Sequence, residues 1–253
     1  MPPVRAPLHP ARTWEGTLVA TGKFAACMTH PLENATWHAL STYQSHLNEG
    51  SDSLKYFRGN VSPFLAMEQW QASDLDLLKH AVPANRSFAI KISQAITLPA
   101  ELEVTLSLRI YQMICTGLKP VEDPAVAIRP LTYDDVPQML DLTRLTRPGP
   151  FLERTIDMGR YFGIFHGEHL AAMAGERVRL PGYTELSAVC THPHFAGRGY
   201  ASILSTHVCI LNLQEGITPI LHVRKENENA IRVYRKLGFE IGREIHFTMF
   251  KKG

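Results

Sequence analysis

The spacing of apolar residues changes at Gly199, and this change marks the most interpretable part of the chain. Before it, residues 186–190 form a short apolar run that ends close to the turn residue Pro193, which is typical of a buried strand. After it, apolar residues recur at helical spacing over residues 203–211, and Gly216 is suited to end a helix. The pattern therefore predicts a strand, a glycine turn and a helix, in that order.

The rest of the C-terminal half continues with patterns of both kinds. Thr132 can cap a helix whose positive end is favoured by Asp134 and Asp135, and apolar residues follow at helical spacing. Further strands are predicted at residues 127–131, 160–165, 170–177, 221–223 and 245–250. This succession of strands and helices indicates a mixed α/β sheet.

The first 125 residues carry weaker patterns. They predict helices at residues 34–47 and 74–80, strands at 88–92 and 103–108, and a loop at 54–64. Residues 117–124 contain two prolines and interrupt any periodicity, which indicates a linker. We therefore expect an N-terminal α+β domain at residues 1–125 and a second domain at residues 126–253.

Composition excludes several classes of function. The formal net charge of +2 gives no reason to expect nucleic acid or a membrane as a partner, and no apolar run is long enough to span a bilayer. The four cysteines are scattered and the histidines lack the spacing of metal ligands, so no metal site is predicted. Free thiols and the absence of a signal-peptide pattern predict a cytoplasmic protein.

The glycine turn has a chemical use. The first turn of a helix leaves backbone N–H groups without partners, and the helix dipole attracts anions to that end. Gly197 and Gly199 would let these donors approach a phosphate, and Arg198 adds a positive charge. A simple connecting turn is an equally good interpretation of the two glycines alone. The sequence has no P-loop, and the turn lacks the third glycine and the acidic residue of a dinucleotide site.

Two motifs around this turn resemble those of the GCN5-related N-acetyltransferases (GNAT). Residues 196–201, Ala-Gly-Arg-Gly-Tyr-Ala, resemble the family's Gln/Arg-x-x-Gly-x-Gly/Ala signature, although Ala196 replaces the usual Gln or Arg. The family's second pattern, Asn-x-x-Ala-x-x-x-Tyr-x-x-x-Gly-Phe, is matched at Asn227, Ala230, Tyr234, Gly238 and Phe239. The Thr-His-Pro at residues 191–193 is similar to that of the FR47-like branch.

This resemblance implies an α/β fold with a mixed, mostly antiparallel sheet flanked by helices, and it makes residues 1–125 a candidate for a degenerate GNAT-like lobe. It also implies acetyl-CoA as co-substrate. The backbone along the pantetheine arm and acetyl group is implied to be that of Val189, Cys190 and Thr191, with Asn227 and Tyr234 nearby. The residues implied around the pyrophosphate are Ala196, Gly197, Arg198, Gly199, Tyr200 and Ala201.

Three residues are candidates for catalysis. Tyr234 stands at the family position for a general acid that protonates the departing thiolate, although it also fits as a helix core residue. Two residues are candidates for the base: Glu185, whose burial is expected to raise its pKa, and His222, since an ordinary histidine titrates near neutral pH. The two could also cooperate through a water. Each has a structural alternative, a strand-surface acid for Glu185 and a backbone-bonded sheet residue for His222.

The acceptor is the least readable part of the reaction. Arg147 and Phe151 lie in a region where the family's acceptors commonly bind, although a rigid connector with Phe151 in the core is an alternative. We expect an acetyltransferase acting on the primary amine of a small molecule or amino acid. A protein N-terminal acetyltransferase and a non-catalytic coenzyme A sensor are the alternatives. The sequence leaves both a homodimer and a monomer open.

Overall fold

The computed structural model describes residues 30–84 and 86–252. The helices in these residues are α1 (Ala35–Ser41), α2 (Ala72–Ala81), α3 (Val136–Thr146), α4 (Tyr200–Gln214) and α5 (Glu228–Lys236). The strands are β1 (Leu54–Tyr56), β2 (Leu65–Met67), β3 (Ser87–Ile92), β4 (Leu102–Cys115), β5 (Arg129–Pro130), β6 (Tyr161–His166), β7 (His169–Leu180), β8 (Tyr183–Thr191), β9 (Thr218–Arg224) and β10 (Phe239–Lys252).

One large sheet organises the described part of the chain. Its eight strands lie in the order β3-β10-β4-β9-β8-β7-β6-β5, and a separate two-stranded sheet is formed by β1 and β2. Every neighbouring pair of the large sheet is antiparallel except β8 and β9, which are parallel. The predicted fold, a mixed and mostly antiparallel sheet flanked by helices, is confirmed.

Strands from both predicted domains enter this sheet. β3 and β4 precede residue 125, yet both pair with β10, and β4 also pairs with β9. Residues 117–124 contain neither helix nor strand, as the linker prediction requires. Shared strand pairing does not test whether either part folds alone. The division at residue 125 and the degenerate lobe therefore stay predictions.

Helices cover both faces of the large sheet. α4 packs on β7, β8 and β9 through buried side chains such as Leu204 and Val208. α1 packs on β7 through side chains such as Leu40, which belongs to a second apolar cluster. Ile220 and Leu221 of β9 contribute to different clusters, because consecutive side chains of a strand point to opposite faces.

Several bounds differ from the sequence predictions because pairing partners decide them. β1 lies inside the segment predicted as a loop, since it pairs with β2. β4 and β10 extend well beyond residues 103–108 and 245–250, because they pair with each other along nearly their whole length. The helix expected over residues 34–47 ends at Ser41, and the strand expected at 127–131 is reduced to Arg129–Pro130.

Candidate active site

Strands β8 and β9 lie side by side only at their N-terminal ends. Their parallel pairing ends with Glu185 opposite Ile220. Beyond that point, β8 remains paired with β7 and β9 with β4. The two strands therefore separate. Backbone groups of β8 that a neighbouring strand would use face a cleft instead.

A bulge in β8 lies beside this separation. Ala188 has φ 51, in the left-handed region that residues other than glycine rarely adopt. The pairing of β7 with β8 shifts register on the same stretch, between Met173 and Gly175. Bulges of this kind re-aim the chain and are frequent next to active sites.

A cavity of about 600 Å³ opens where the strands separate. Its wall is formed by residues 186–190 of β8, residues 222–224 at the end of β9, and the loop of residues 146–150 that follows α3. Asn227, Ala230 and Tyr234 line it from the side of α5, and the rest of the wall includes Phe64 and residues of β3, β4, β7 and β10. The volume lies in the range of small-molecule sites.

Tyr234 and Asn227 are placed in the cavity wall by α5. Asn227 caps this helix, because its side-chain oxygen accepts the backbone N–H of Ala230 at 3.1 Å. Removal of water raises the pKa of the Tyr234 phenol, and the neighbouring thiols of Cys209 and Cys190 raise it further. Tyr234 therefore keeps its proton at neutral pH and has one to donate.

Glu185 lies at the point of separation and is completely buried. Arg177 Nη2 donates to its carboxylate at 2.7 Å, Lys91 Nζ at 3.2 Å and His222 Nδ1 at 2.7 Å. These four residues, Lys91, Arg177, Glu185 and His222, come from four different strands, and we call them the charge cluster.

The electrostatics of the charge cluster correct one prediction. Burial by itself raises the pKa of Glu185, but the positive charges of Arg177 and Lys91 and the contact with His222 outweigh it. The pKa of Glu185 is therefore well below its usual range, and the predicted rise toward neutrality is wrong. A carboxylate held between two cations is ionised and weakly basic.

His222 is held as a neutral imidazole. Burial, and then the charge of Lys91, lowers the pKa of His222 to about 4. Its Nδ1–H donates to Glu185, and its Nε2 lies 3.2 Å from Gln112 Nε2, which can donate to it. The same Gln112 amide donates to the carbonyl of Leu32 at 3.2 Å. Both ring nitrogens are therefore engaged, and Glu185 and His222 touch directly rather than through a water.

Lys91 and Arg177 are the members that sequence reasoning missed. Their side chains are 4% and 11% exposed, and both lie over the ring of Phe64, 4.2 and 4.9 Å from its centre. Burial lowers the pKa of Lys91 to about 8 despite the neighbouring Glu185. The available signal was weak, a single lysine between the apolar residues Ile90 and Ile92 of a predicted strand.

The glycine turn lies at the start of α4. Gly197 and Gly199 have φ 79 and φ 78, and a Cβ at either position would meet no atom within 4 Å. The backbone therefore demands glycine here, although there is room for a side chain. Among the described residues, the N–H groups of residues 198–201 donate to no protein acceptor. They form a cluster of free donors at the positive end of a helix.

Aromatic side chains support this turn from outside. The guanidinium of Arg198 lies over the ring of Phe195, 5.4 Å from its centre, and Phe195 stacks on His166 at 4.4 Å. His166 Nε2 in turn lies 2.7 Å from the hydroxyl of Tyr200. Ala196 offers only a methyl group to this arrangement, so the backbone and Arg198 carry its anion-binding capacity.

Within residues 30–84 and 86–252, no group of three or more His, Cys, Asp or Glu side chains is placed to hold a metal ion. None of the helices described is both long enough and apolar enough to cross a bilayer.

Comparisons with known proteins identify the fold. The sequence profile of the family described as FR47-like protein matches residues 161–247. An acetyltransferase assigned to the GNAT family from Novosphingobium aromaticivorans is 32% identical, with a TM-score of 0.80, over 88% of this chain and 99% of that one. The chain belongs to the GNAT family of acetyltransferases, in its FR47-like branch.

More distant GNAT structures share the fold. A GCN5-related N-acetyltransferase from Kribbella flavida is 13% identical, with a TM-score of 0.59, over 85% of this chain and 94% of that one. A GCN5-related N-acetyltransferase-like protein from Streptococcus suis is 15% identical, with a TM-score of 0.51, over 79% and 85%. No curated protein matches this chain significantly.

The GNAT structure gathers some of the predicted site residues around the cavity and leaves others outside it. The predicted residues in the wall are Arg147, Val189, Cys190, His222, Asn227 and Tyr234. Glu185 lies behind the wall, and Thr191 and the turn of residues 196–201 lie beyond it. Phe151 is not in the wall either; it packs edge-on against Tyr161 at 5.7 Å in an apolar cluster.

Proposed function

We propose that this GNAT protein is an acetyl-CoA-dependent N-acetyltransferase that moves an acetyl group directly to the primary amine of a small molecule or amino acid. The observation that carries the proposal is the cavity between β8 and β9. Its wall joins residues implied for the coenzyme, Val189, Cys190 and Asn227, to the protonated phenol of Tyr234. Membership of the GNAT family supports acetyl transfer in general.

The residues present fit coenzyme A at two places. The free N–H groups of residues 198–201, together with Arg198, suit a pyrophosphate. At residues 189–191, the edge of β8 that faces away from β7 has no partner strand, and it suits the amides of the pantetheine arm, which can add to it as a further strand would. Ala196 lacks the polar side chain that the family usually has at this position, and the backbone donors do not depend on that side chain.

The chemistry follows from these positions. Bound acetyl-CoA supplies a thioester, whose carbonyl carbon receives the acceptor nitrogen. Backbone N–H groups on the edge of β8 that β9 leaves after Glu185 would stabilise the charge that develops on the carbonyl oxygen. Tyr234 would donate its phenolic proton to the sulfur as the C–S bond breaks. The phenol is protonated throughout the neutral range.

Glu185 and His222 stay the two candidates for the base. Neither takes the proton of the acceptor directly. Glu185 is too weakly basic to hold a proton at neutral pH, and Gln112 occupies the second ring nitrogen of His222. The charge cluster contains two cations and one carboxylate, so its excess positive charge lowers the pKa of an ammonium bound nearby. The acceptor then loses its proton to water, while Glu185 pairs with both cations and His222 donates to Glu185.

Isothermal titration with acetyl-CoA tests the proposal, with ATP and NAD as controls. We expect micromolar binding of acetyl-CoA alone, followed by acetylation of members of an amine and amino-acid panel. Tight binding without transfer to any amine would favour the coenzyme A sensor. Failure to bind acetyl-CoA would overturn the proposal.

A further inference from the structure

The cavity wall carries an excess of positive charge. Its charged residues are Lys91, Arg147, Arg177 and Arg224, and no aspartate or glutamate lines it among the described residues. Behind the wall, Glu185 compensates one charge, and His222 is neutral. Lys91 and Arg177 together therefore retain one uncompensated charge in a place that is nearly closed to water.

Both cations also retain hydrogen-bond donors. Arg177 gives its Nε and Nη2 to Glu185 and, among the described residues, donates Nη1 to no acceptor. This Nη1 faces the cavity loop, because a Cβ built on Gly149 would lie 3.7 Å from it. Lys91 Nζ has three N–H groups and contacts only the two oxygens of Glu185 as acceptors in the described part of the chain.

An uncompensated buried cation is costly to a protein unless an anion binds to it. The ring of Phe64 offsets part of the cost for both side chains, but it accepts no conventional hydrogen bond. The remaining donors therefore fit a small anionic group. A planar carboxylate can accept from a guanidinium edge and an ammonium together.

We infer that Lys91 and Arg177 bind a carboxylate of the acceptor, so that the substrate class is amino acids and related amines carrying a free carboxylate. The inference rests on the proposed acetyltransferase function and specifies its acceptor. The amine lies toward Ala188 and Tyr234, where the thioester would be, and the carboxylate lies toward β3 and β7. Polyamines and other purely cationic acceptors are excluded by repulsion from the same two residues.

Matched acceptors test this arrangement. Glycine is compared with glycinamide, and L-alanine with L-alaninamide, at one pH and at saturating acetyl-CoA. We expect kcat/KM to be at least tenfold higher for each acid than for its amide. The amide has the less basic amine and is more often in the reactive neutral form. A preference for the acid therefore cannot come from the basicity of the amine.

Variants of Lys91 separate charge from structure. Lys91→Met should lower kcat/KM for glycine at least tenfold more than it lowers kcat/KM for glycinamide, whereas Lys91→Arg should retain the preference. Arg177 still compensates Glu185 in both variants, so both are expected to fold. Lys251→Met is the matched control, because Lys251 lies on β10 with an exposed partner, Glu103, and should change neither acceptor.

A binding measurement covers the case in which none of these acceptors reacts. The protein saturated with coenzyme A is titrated with N-acetylglycine and N-acetylglycinamide. At least tenfold tighter binding of the acid supports the inference, and equal or absent binding overturns it. The inference also fails if the amides react as well as the acids, or if Lys91→Met weakens coenzyme binding and leaves acceptor preference intact. In each of these cases acetyl-CoA binding still stands, so the proposed function is judged separately.

Discussion

The glycine turn and the charge cluster use opposite means to prepare for a ligand. The turn is contiguous, and its free donors are backbone N–H groups of residues 198–201. The charge cluster joins side chains from β3, β7, β8 and β9. Backbone donors do not depend on the identity of side chains, whereas the charge cluster requires particular side chains on four strands. The first arrangement depends on local chain conformation, whereas the second depends on the packing of the whole sheet.

The largest effect is expected from removing the carboxylate at the centre of the charge cluster. Glu185→Gln leaves Lys91 and Arg177 buried without a counter-charge, and we expect the free energy of unfolding to fall by about 3–5 kcal/mol. Urea denaturation measures the change. Glu103→Gln removes an exposed carboxylate that pairs with Lys251, and it should leave stability unchanged. Equal stability of both variants would mean that Glu185 does not hold the cluster together.

A variant of Tyr234 tests the proposed proton transfer to the sulfur of the coenzyme. Tyr234→Phe removes the proton donor but keeps the ring in the cavity wall, so kcat should fall about 100-fold with little change in KM. The control is Tyr43→Phe, since Tyr43 is exposed and does not line the cavity. Initial rates with a reactive amine measure the effect. A normal kcat in Tyr234→Phe would leave the tyrosine only its packing role.

The turn is tested by two glycines in the same conformation. Gly199 and Gly182 have φ 78 and φ 80, and a Cβ would meet no atom at either position. Alanine at each should lower stability by about 1–2 kcal/mol, because both force a left-handed backbone. Only Gly199→Ala should also lower the affinity for acetyl-CoA, by roughly tenfold, since it displaces the free backbone donors. Equal coenzyme affinity in the two variants would remove the turn from the coenzyme site.

The smallest expected effect is a dependence of acid binding on pH. The pKa of Lys91 is lowered to about 8, so its charge is present below that pH and lost as pH rises through it. The affinity of the coenzyme-saturated protein for N-acetylglycine should therefore fall several-fold, up to about tenfold, between roughly pH 7 and pH 9. The ligand has no amine to titrate in that range. Lys91→Met should show weak binding with no such slope, and a slope that survives in this variant would assign the titration to another group.

Sequence patterns located the elements of the proposed coenzyme site because the information for them is local. The strand, turn and helix at residues 183–214 follow from apolar spacing and two glycines, and all three were found where they were predicted. Asn227 and Tyr234 were placed by a motif on one short helix, and both line the cavity. Interactions within a few residues of chain can be read in this way.

The residues of the proposed acceptor site could not be predicted from local patterns, because they are distant in sequence. Lys91 and Glu185 are 94 residues apart, and the contact between them requires β3 to reach the site through β10 and β4. The direction of the Glu185 pKa was mispredicted for this reason. Burial was visible as an expectation, but the two neighbouring cations were not.

The family, the order of the principal strands and helices, and the positions where backbone conformation requires glycine could all be predicted from the sequence. Each of these depends on local spacing and on the conformational limits of single residues. The tertiary structure alone decided how far β4 and β10 extend, where β8 and β9 separate, and which charges meet Glu185. These depend on strand pairing across the whole sheet, because the electrostatic energy of a buried group is set by its neighbours in space and not by its neighbours in the chain.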